Sequence, residues 1–372
     1  MHILFAGGGT AGHINPALAV AGYIREKHPD AHISYIGTPD KLEAKLVPEM
    51  GYNFRTISVA GFQRKLTLEN IGKNISAAKK AITSSINAKK ILKEIQPDVV
   101  VGTGGYVSGP VLREAAKLGI KTAIHEQNAF PGITTKMLAP NVDVVMLAYK
   151  EAEKYLKSTK KVFVTGNPVR KELLKISREE ARIKLGIDDK PLILSFGGSL
   201  GASPINKAVS GLIKWHNDSN RFYHIHGTGK TGYDGVITYF KNNNITLSKK
   251  IDIREYIKDM DVCMAAADLV ICRAGAITLS ELLACGKPSI LIPSPYVAEN
   301  HQYHNAMTLK HIGAAEIIEE KDLTADKLID VVSNLIENKP KLAAMSQAAK
   351  NGAITDANER IYEIIMQLYT TA

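Results

Sequence analysis

Residues 268–295, DLVICRAGAITLSELLACGKPSILIPSP, contain the pattern that decides the fold class. An apolar strand, Leu269 to Ile271, leads through a turn of small residues into a helix that carries Thr278, Ser280 and Glu281, and a second apolar strand follows. Strand, helix and strand in this order predict one unit of a parallel sheet. A helix that starts at such a turn points backbone N–H groups and its positive end at an anion. Since Glu281 lies one turn further on, where a ribose diol could donate to it, the pattern predicts a nucleotide site.

The two halves of the chain begin with the same pattern of strand, glycine-rich turn and helix. The turns are GGGTAG at 7–12 and GGSLGA at 197–202, and a third glycine-rich strand end, GTGGYVSGP, lies at 102–110. Strands alternate with helices throughout, so the sequence predicts an α/β protein with two Rossmann-like, doubly wound parallel sheets. We expect a ligand in a cleft that faces the carboxyl ends of the strands.

The predicted boundary between the halves is the turn Thr165-Gly166-Asn167-Pro168. It gives an N-terminal domain of residues 1–165 and a C-terminal domain of residues 166–354. A last helical run follows, at about 355–372, and its pattern is compatible with packing on either domain.

Length and composition limit the class of protein. A chain of 372 residues that is 45% hydrophobic can build two α/β cores. It lacks a run of about 18 apolar residues, so no transmembrane segment is predicted, and it starts directly in a strand without an export signal. Its three cysteines have no CxxC spacing, which indicates reduced thiols and a cytoplasmic location.

The net charge of +10 is concentrated in the first domain, where residues 1–165 carry 22 Lys and Arg against 13 Asp and Glu. A helix predicted at 67–94 places isoleucines on one face and lysines beside them. We expect an outer helix that buries the isoleucines, and a helix lying near an anionic membrane is the alternative. Nucleic acid is disfavoured because no basic motif with interleaved aromatic residues is present. The residues concerned are Ile71, Ile75, Ile82 and Ile86, with Lys73, Lys79, Lys80, Lys89, Lys90 and Lys93.

Two groups of polar residues in the first domain are candidates for chemistry. His13 lies at the start of the first helix, whose positive end disfavours a protonated imidazole, so His13 is either a general base or a capping or phosphate-binding residue. His125-Glu126-Gln127-Asn128 follows a strand at the sheet edge where ligands bind. A dehydrogenase is disfavoured because residues 7–13 lack the GxGxxG order and no acidic residue ends the second strand, Ile33 to Ile36.

Two patterns that suggest metal sites are better explained as structure. Asp259-Met260-Asp261 spells the DxD of metal-dependent sugar transferases, but it precedes an apolar helical run and is predicted to be a first turn. His224 and His226 share one face of a strand without a third ligand and are predicted to be structural.

Taken together, these segments resemble the family of bacterial undecaprenyl-diphospho-muramoylpentapeptide β-N-acetylglucosaminyltransferases, the enzymes that make lipid II. The matching segments run in the family's order from Met1 to about Ala315. They are GGGTAGHINPALA, GTGGYVSGP, IHEQNAFPG, TGNPVR, GGSLGA and CRAGAITLSELLACGKPSILIPSP with Gln302.

The resemblance implies a GT-B fold whose two domains face a deep cleft, with the last helix packed back on the N-terminal domain. It implies inverting transfer of N-acetylglucosamine from UDP-N-acetylglucosamine to the C4 hydroxyl of the muramoyl sugar of lipid I, with no cofactor and no metal ion. The N-terminal domain would face the acceptor and the membrane, and the C-terminal domain would bind the UDP-sugar. The enzyme would lie peripherally at the cytoplasmic face of the plasma membrane, on the anionic inner leaflet, where other cell-wall synthesis proteins are further partners.

The resemblance also implies residue roles. Glu281 would bind the ribose, the backbone of Ile257 the uracil, and Ser199 the diphosphate. The base is our own hypothesis from the residues, with His13 as the first candidate and Glu126 as the second. Ala11 stands where the family often has glycine, and His301-Gln302 replaces a Gln-Gln pair of some members. The implied donor residues are Thr10, Ala11, Gly12, Asn128, Arg170, Ser199, Ile257, Ala276, Ile277, Thr278, Leu279, Ser280, Glu281 and Gln302, and the implied acceptor residues are Gly104, Gly105 and Tyr106.

Two rival functions remain open at this point. One is another GT-B enzyme, such as a lipid galactosyltransferase or a UDP-sugar epimerase, which the acceptor would distinguish. The other is a non-catalytic protein that binds a nucleotide sugar and recruits an enzyme to the membrane.

Overall fold

The computed structural model describes residues 1–59, 68–157, 159–198, 200–219 and 221–371, and only the backbone for 68–81. Contacts divide the chain into two compact units. Unit 1 comprises Met1–Pro168 with Asp356–Ala372, and unit 2 comprises Val169–Thr355.

Unit 1 is built around a parallel sheet that has seven strands in the described part of the chain, in the order β3-β2-β1-β4-β5-β6-β7. Its strands are β1 (His2–Gly7), β2 (His32–Gly37), β3 (Asn53–Thr56), β4 (Val99–Gly104), β5 (Lys121–Glu126), β6 (Val144–Leu147) and β7 (Val162–Val164). Its first five helices are α1 (Ala11–Lys27), α2 (Glu43–Glu49), α3 (Leu68–Ile95), α4 (Gly105–Lys117) and α5 (Ile133–Leu138).

Unit 2 repeats this order with six strands among its described residues, β10-β9-β8-β11-β12-β13. The strands are β8 (Leu192–Phe196), β9 (Tyr223–Gly227), β10 (Ile251–Arg254), β11 (Leu269–Cys272), β12 (Ser289–Leu291) and β13 (Ala315–Ile317). The helices are α6 (Arg178–Leu185), α7 (Ser203–His216), α8 (Tyr233–Asn242), α9 (Met260–Ala266), α10 (Ala276–Ala284), α11 (His301–His311), α12 (Ala325–Ile336) and α13 (Lys339–Asn351), and α14 (Ala357–Thr370) follows in unit 1.

Both sheets are covered on both faces, which explains their apolar central strands. In unit 1 the side chains of Val99 and Val101 belong to one apolar cluster, and that of Val100 belongs to the cluster on the opposite face. Parallel strands buried on both sides read as continuous apolar runs because each face needs its own core. The prediction of two doubly wound parallel sheets is confirmed.

The last helix, α14, belongs to unit 1 although it follows unit 2 in the chain. Its residues Ile361, Ile365 and Leu368 join the cluster formed with α1. The hydroxyl group of Tyr362 lies 2.7 Å from Nε2 of His28, at the end of α1. The sequence pattern left both units open, and the apolar stripe of α14 packs on unit 1.

The prediction that α3 buries its isoleucines is wrong where the structure can test it. The side chains of Ile82 and Ile86 are 65% and 61% exposed, and α3 instead buries Ala88 and Leu92. The helix packs on α4 through Ala88 and Leu92, so Ile82 and Ile86 face away from the core. Ile71, Ile75, Lys73, Lys79 and Lys80 lie outside the residues with described side chains. Within the described part of the chain, no helix is long and apolar enough to cross a bilayer.

Candidate active site

The loops after β1 and β4 meet at the point where the strand order of unit 1 reverses, the usual ligand position in such sheets. Gly7 pairs with Gly104 across these strands. Gly104 and Gly105 have φ angles of +104° and +77°, and a Cβ atom on Gly105 would lie 2.4 Å from the carbonyl oxygen of Gly8. Only glycine allows this approach. The predicted acceptor residues therefore lie directly beside the first glycine-rich turn, with the exposed ring of Tyr106 next to them.

A buried carboxylate that sequence reasoning missed holds the first glycine-rich turn. Oε2 of Glu43 accepts a hydrogen bond from the backbone N–H of Gly9 at 3.1 Å. Oε1 accepts from the backbone N–H and the hydroxyl group of Thr38, at 3.0 and 2.8 Å. Glu43 lies six residues after the end of β2, in the first turn of α2, and so beyond the strand end where a dinucleotide-binding acidic residue would stand. Its two oxygens thereby tie the glycine-rich turn after β1 to the end of β2.

Thr10, Ala11 and Gly12, which the sequence pattern assigned to the glycine-rich turn, form the start of α1. Thr10 is the N-cap residue in extended conformation, and Ala11 is the first helical residue. Because helical residues have negative φ, alanine fits this position without strain where the family often has glycine. Thr10 and Ala11 are exposed.

His13 lies in the first turn of α1, with its ring against the β4 loop. Its Nδ1 atom is 3.0 Å from Oε1 of Gln127. A Cβ atom on Gly104 would lie 2.6 Å from the same nitrogen, so the glycine makes room for the imidazole. The structure thus brings His13, Gly104 and the segment after β5 together, three parts of the chain that sequence reasoning had selected separately.

Glu126, the second candidate base, braces the loop between β5 and α5. Oε1 accepts hydrogen bonds from the backbone N–H and the side-chain amide of Asn128, both at 3.0 Å. Oε2 accepts from the backbone N–H of Gly132 at 3.0 Å and from the hydroxyl group of Thr135 at 2.5 Å. With 3% of its surface exposed, the carboxylate accepts from three donors in the loop and one in the first turn of α5.

In unit 2 the glycine-rich turn and the start of α7 form one wall of a cavity. Gly201 has a φ of +81°, and a Cβ atom there would lie 2.1 Å from the carbonyl oxygen of Thr228. This close approach requires glycine and aims the turn at the start of α7, Ser203. Ser199, the predicted diphosphate contact in the same turn, lies outside the described residues.

The cavity has a volume of about 610 Å³ and contains one predicted donor residue, Gln302, whose Oε1 accepts from the backbone N–H of Ser294 at 2.9 Å. Sequence reasoning missed two of its residues, Arg273 and Glu320, which form an ion pair. Arg273 also donates to the carbonyl oxygen of Ile292 at 3.1 Å. The described lining residues are Gly197, Gly198, Leu200, Gly201, Ala202, Ser203, Pro204, Arg273, Ser294, Tyr296, Gln302 and Glu320.

The helix in the opening sequence is α10, which starts at Ala276 after the N-cap residue Gly275. The hydroxyl group of Ser280 donates to the carbonyl oxygen of Ala276 at 3.2 Å, and the side chain of Leu279 is fully buried in the core. Leu279 therefore has only its backbone for a ligand. Ile277 and Thr278 lie in the first turn of the same helix, at its positive end.

Glu281 is buried at the end of the second turn of α10 and is paired with Arg170. Nε and Nη2 of Arg170 reach the two carboxylate oxygens at 2.6 and 3.1 Å. The hydrogen bonds to Glu281 raise the pKa of the guanidinium. Ile257 is also buried, with its side chain against Gly227, so a ligand would meet its backbone.

Asp259 and Asp261 lie at the start of α9, as predicted, and His224 and His226 lie in the core of unit 2. Asp259 is the N-cap residue of α9 and pairs with Arg254 at 2.6 Å, and Asp261 lies in the first turn. His224 and His226 flank Ser195, each 2.8 Å from its hydroxyl oxygen, inside the core. Among the described residues, no group of three or more His, Cys, Asp or Glu is placed to hold a metal ion.

Known proteins match the chain over both units. Residues 3–147 match the glycosyltransferase family 28 N-terminal domain, and residues 192–361 match the C-terminal domain of that family. The UDP-N-acetylglucosamine–N-acetylmuramyl-(pentapeptide) pyrophosphoryl-undecaprenol N-acetylglucosamine transferase of Acetivibrio thermocellus is 51% identical, with 99% of this chain and 98% of that protein covered. The chain belongs to this family. The protein of the same name from Caldanaerobacter subterraneus is 48% identical, with 98% of this chain and 99% of that protein covered.

A solved structure supports the same assignment. The crystal structure of Acinetobacter baumannii MurG superposes with a TM-score of 0.80 at 29% identity and covers 98% of this chain and 99% of that chain. The predictions of the N-acetylglucosaminyltransferase family, of a GT-B fold and of a hexosyltransferase are confirmed. The rival assignments to a galactosyltransferase or an epimerase are set aside.

Proposed function

We propose that His13 is the general base of this enzyme and that donor and acceptor bind at the residues predicted from the sequence. The enzyme transfers N-acetylglucosamine from UDP-N-acetylglucosamine to lipid I and forms lipid II. In the proposed step, Nε2 of His13 takes the proton of the C4 hydroxyl group of the muramoyl sugar. The oxygen then bonds to the anomeric carbon from the side opposite to UDP, which leaves with the electron pair, so the configuration inverts.

The hydrogen bonds of Glu126 are the observation that favours His13 over Glu126 as the base. Four donors surround its two oxygens, and they come from Asn128 and Gly132 in the loop and from Thr135 in the first turn of α5. A carboxylate engaged in this way would have to give up a loop contact to take a proton. His13 has its Nδ1 atom committed to Gln127, which leaves Nε2 for the substrate.

The donor is assigned mainly to unit 2. The N-termini of α7 and α10 supply backbone N–H groups and two positive helix ends, which stabilise the charge that develops on the departing UDP. Glu281, held by Arg170, accepts the ribose hydroxyl groups, and Gln302 binds the sugar. Ser199, Ile257 and residues 276–280 complete the proposed donor residues of unit 2. Asn128, Thr10, Ala11 and Gly12 of unit 1 are proposed as separate donor contacts.

The acceptor is assigned to unit 1. The positive-φ glycines 104 and 105 expose backbone at the switch point, where the lipid diphosphate would bind beside Tyr106. His13 lies against the same loop, which places the proposed base next to the proposed acceptor site.

We extend the proposal to an anionic membrane surface at the cytoplasmic face, where other cell-wall synthesis proteins would be further partners. Ile82 and Ile86 are exposed on α3, which also carries exposed Lys89 and Lys90. Exposed Met137 adds apolar surface on α5, a neighbour of α4. Apolar side chains with lysines beside them suit an anionic bilayer surface, which buries the former and attracts the latter.

The first experiment is sugar transfer from radiolabelled UDP-N-acetylglucosamine to a short-chain lipid I analogue, with EDTA present. We expect labelled lipid product in wild-type protein and its loss in His13→Ala. Near-full turnover of His13→Ala together with an inactive Glu126→Gln variant would contradict the base assignment. Activity that depends on an added divalent ion would contradict the metal-independent mechanism.

A further inference from the structure

Three buried or half-buried side chains of unit 1 form a hydrogen-bonded chain that ends on His13. We infer that Gln127 and His125 are positioning residues that hold His13 in the tautomer whose Nε2 atom is unprotonated. The inference rests on the proposed role of His13 as general base. Gln127 and His125 are each 2% exposed, so the chain lies inside the protein and only His13 reaches its surface.

The amide of Gln127 can face only one way. Its Nε2 atom lies 2.9 Å from the backbone carbonyl oxygen of His125, which accepts hydrogen bonds and cannot donate them. The nitrogen must therefore face this carbonyl, and Oε1 must face Nδ1 of His13 at 3.0 Å. An amide oxygen also only accepts, so Nδ1 carries the proton. A neutral imidazole has one N–H, and Nε2 of His13 is left with a lone pair.

The hydrogen bonds of His125, at the other end of this hydrogen-bonded chain, run in the same direction. The second hydrogen of Nε2 of Gln127 points to Nδ1 of His125 at 3.0 Å, so this nitrogen is an acceptor. The proton of His125 then lies on its Nε2 atom, which donates to the carbonyl oxygen of Gly166 at 2.9 Å. Complete burial lowers the pKa of His125 and keeps it neutral, as the acceptor role requires. Two backbone carbonyls, which only accept, thus set the direction of every hydrogen bond.

Two further contacts hold the chain in place. The side-chain amide of Asn167 donates to the backbone carbonyl of Gln127 at 3.1 Å. Gly104 packs so closely on the ring of His13 that a Cβ atom would be 2.6 Å from Nδ1 and 2.8 Å from Cε1. The ring is therefore held both in its plane and along the Nδ1–Oε1 direction.

The tautomer matters because a free imidazole in water prefers its proton on Nε2, the atom that has to accept the substrate proton. An enzyme that uses Nε2 as a base has to stabilise the other tautomer. In serine proteases, where a carboxylate does this, losing the correct tautomer lowers kcat by about 10⁴-fold. Here a neutral amide backed by a neutral histidine performs the same task without placing a negative charge beside the base.

The test is nitrogen NMR of protein labelled with 15N-histidine, with the His13 signals assigned by their loss in His13→Gln. In wild-type protein at a pH where histidine is neutral, we expect Nε2 of His13 to give the shift of an unprotonated nitrogen. In Gln127→Leu the proton should move to Nε2, and kcat should fall about 10²-fold or more, with little change in the KM for UDP-N-acetylglucosamine. His125→Phe should give a smaller loss, because the carbonyl of residue 125 still orients the amide.

A conservative variant provides a readout that a structural role would not change. In Gln127→Glu one carboxylate oxygen accepts the same Nδ1 proton, so the tautomer and part of kcat should be retained. The other oxygen faces the carbonyl group of residue 125 in place of a donor, so this variant should also be less stable. Its negative charge favours the imidazolium, so the acid limb of the kcat–pH profile should move to higher pH. If Gln127→Leu does not fold, this shift decides the question, and an unshifted profile overturns the inference.

The matched control is Asn217→Leu, which removes a buried side-chain amide with three hydrogen bonds from unit 2. It should lower stability and leave the His13 tautomer and the pH profile unchanged. The inference is wrong if Gln127→Leu keeps an unprotonated Nε2 or wild-type kcat. If instead the proposed function is wrong, His13→Ala would retain turnover, while the NMR signals of wild-type protein would still show an unprotonated Nε2 atom on His13.

Discussion

Arg170 and Glu281 form a bidentate ion pair, with Nε 2.6 Å from Oε1 and Nη2 3.1 Å from Oε2. The carboxylate is nearly buried, with 7% of its side chain exposed, whereas 55% of the arginine side chain is exposed. A carboxylate has about four lone-pair sites, and the arginine uses two of them. The pair therefore fixes the orientation of Glu281 and leaves acceptor capacity for a ribose.

Removing either partner should weaken UDP binding. A hydrogen bond to a charged group contributes about 1.5–3 kcal/mol, so we expect Arg170→Ala and Glu281→Gln each to raise the Kd of UDP about 10- to 100-fold. Arg170→Lys keeps the positive charge but cannot form the bidentate pair, so its Kd for UDP should lie between those of wild type and Arg170→Ala. Titration calorimetry with UDP measures these values, and an unchanged Kd in both variants would refute the proposed ribose site.

Substitution of the two candidate bases should affect different properties, kcat for His13 and stability for Glu126. His13→Ala should lower kcat by about 10²- to 10⁴-fold without a large change in Tm. Glu126→Gln should mainly lower stability, by about 1–3 kcal/mol, because an amide has one acceptor oxygen for a loop that offers four donors. Steady-state kinetics and thermal unfolding of both variants provide the comparison. A stable but inactive Glu126→Gln protein would reverse the assignment.

Unit 2 should become less stable in mild acid because of its buried histidines. Burial lowers the pKa values of His216 and His226 to about 4 and also lowers that of His224, which lies between them in a chain through Ser195. An unfolded histidine titrates near 6.5, so the unfolded chain binds more protons between pH 6.5 and 4. The free energy of unfolding therefore decreases as the pH falls through this window, by about 1.4 kcal/mol per pH unit for each histidine.

The single tryptophan of the chain, Trp215, adjoins this cluster in sequence and reports on unit 2. Urea unfolding followed by its fluorescence at pH 7 and pH 5 measures the loss. His226→Gln should reduce the pH dependence, and the control His311→Gln, at an exposed position, should leave it intact. Equal stability at both pH values would contradict the prediction.

Membrane binding should depend on the exposed isoleucines of α3. We expect Ile82→Ser with Ile86→Ser to weaken binding to vesicles rich in phosphatidylglycerol by about tenfold, because burying an isoleucine contributes about 1.5–3 kcal/mol when it is complete. Ile183→Ser on α6 removes an isoleucine that is 79% exposed in unit 2 and serves as the control. Vesicle sedimentation at low and high salt separates the apolar contribution to binding from the electrostatic one. Unchanged binding of the double variant would remove α3 from the proposal.

The fold and the family follow from local patterns in the sequence. Apolar strands, glycine turns and helix starts recur with a spacing that only a doubly wound parallel sheet accommodates, and strand order then brings the turns after β1 and β4 together. Helix starts such as Ala276 are also local, since a turn of small residues is sufficient to predict them. The residues proposed for donor and acceptor binding came from the family resemblance, which the motifs at these turns helped to establish.

The side-chain partners could not be read in the same way, because they join residues far apart in the chain. Gln127 lies 114 positions from His13, and Arg170 lies 111 positions from Glu281. Periodicity placed the isoleucines of α3 on one face, but which face packs on α4 depends on the neighbouring helix.

The difference has a physical origin. Backbone conformation and apolar periodicity depend on neighbours within a few positions, so the sequence was sufficient for the strands and most turns, although α1 starts at Ala11, inside the predicted turn. Hydrogen-bond direction depends on which donor meets which acceptor after folding. Only in the folded chain does the Glu126 carboxylate accept the hydrogen bonds of its own loop, and only there does the amide oxygen of Gln127 face His13.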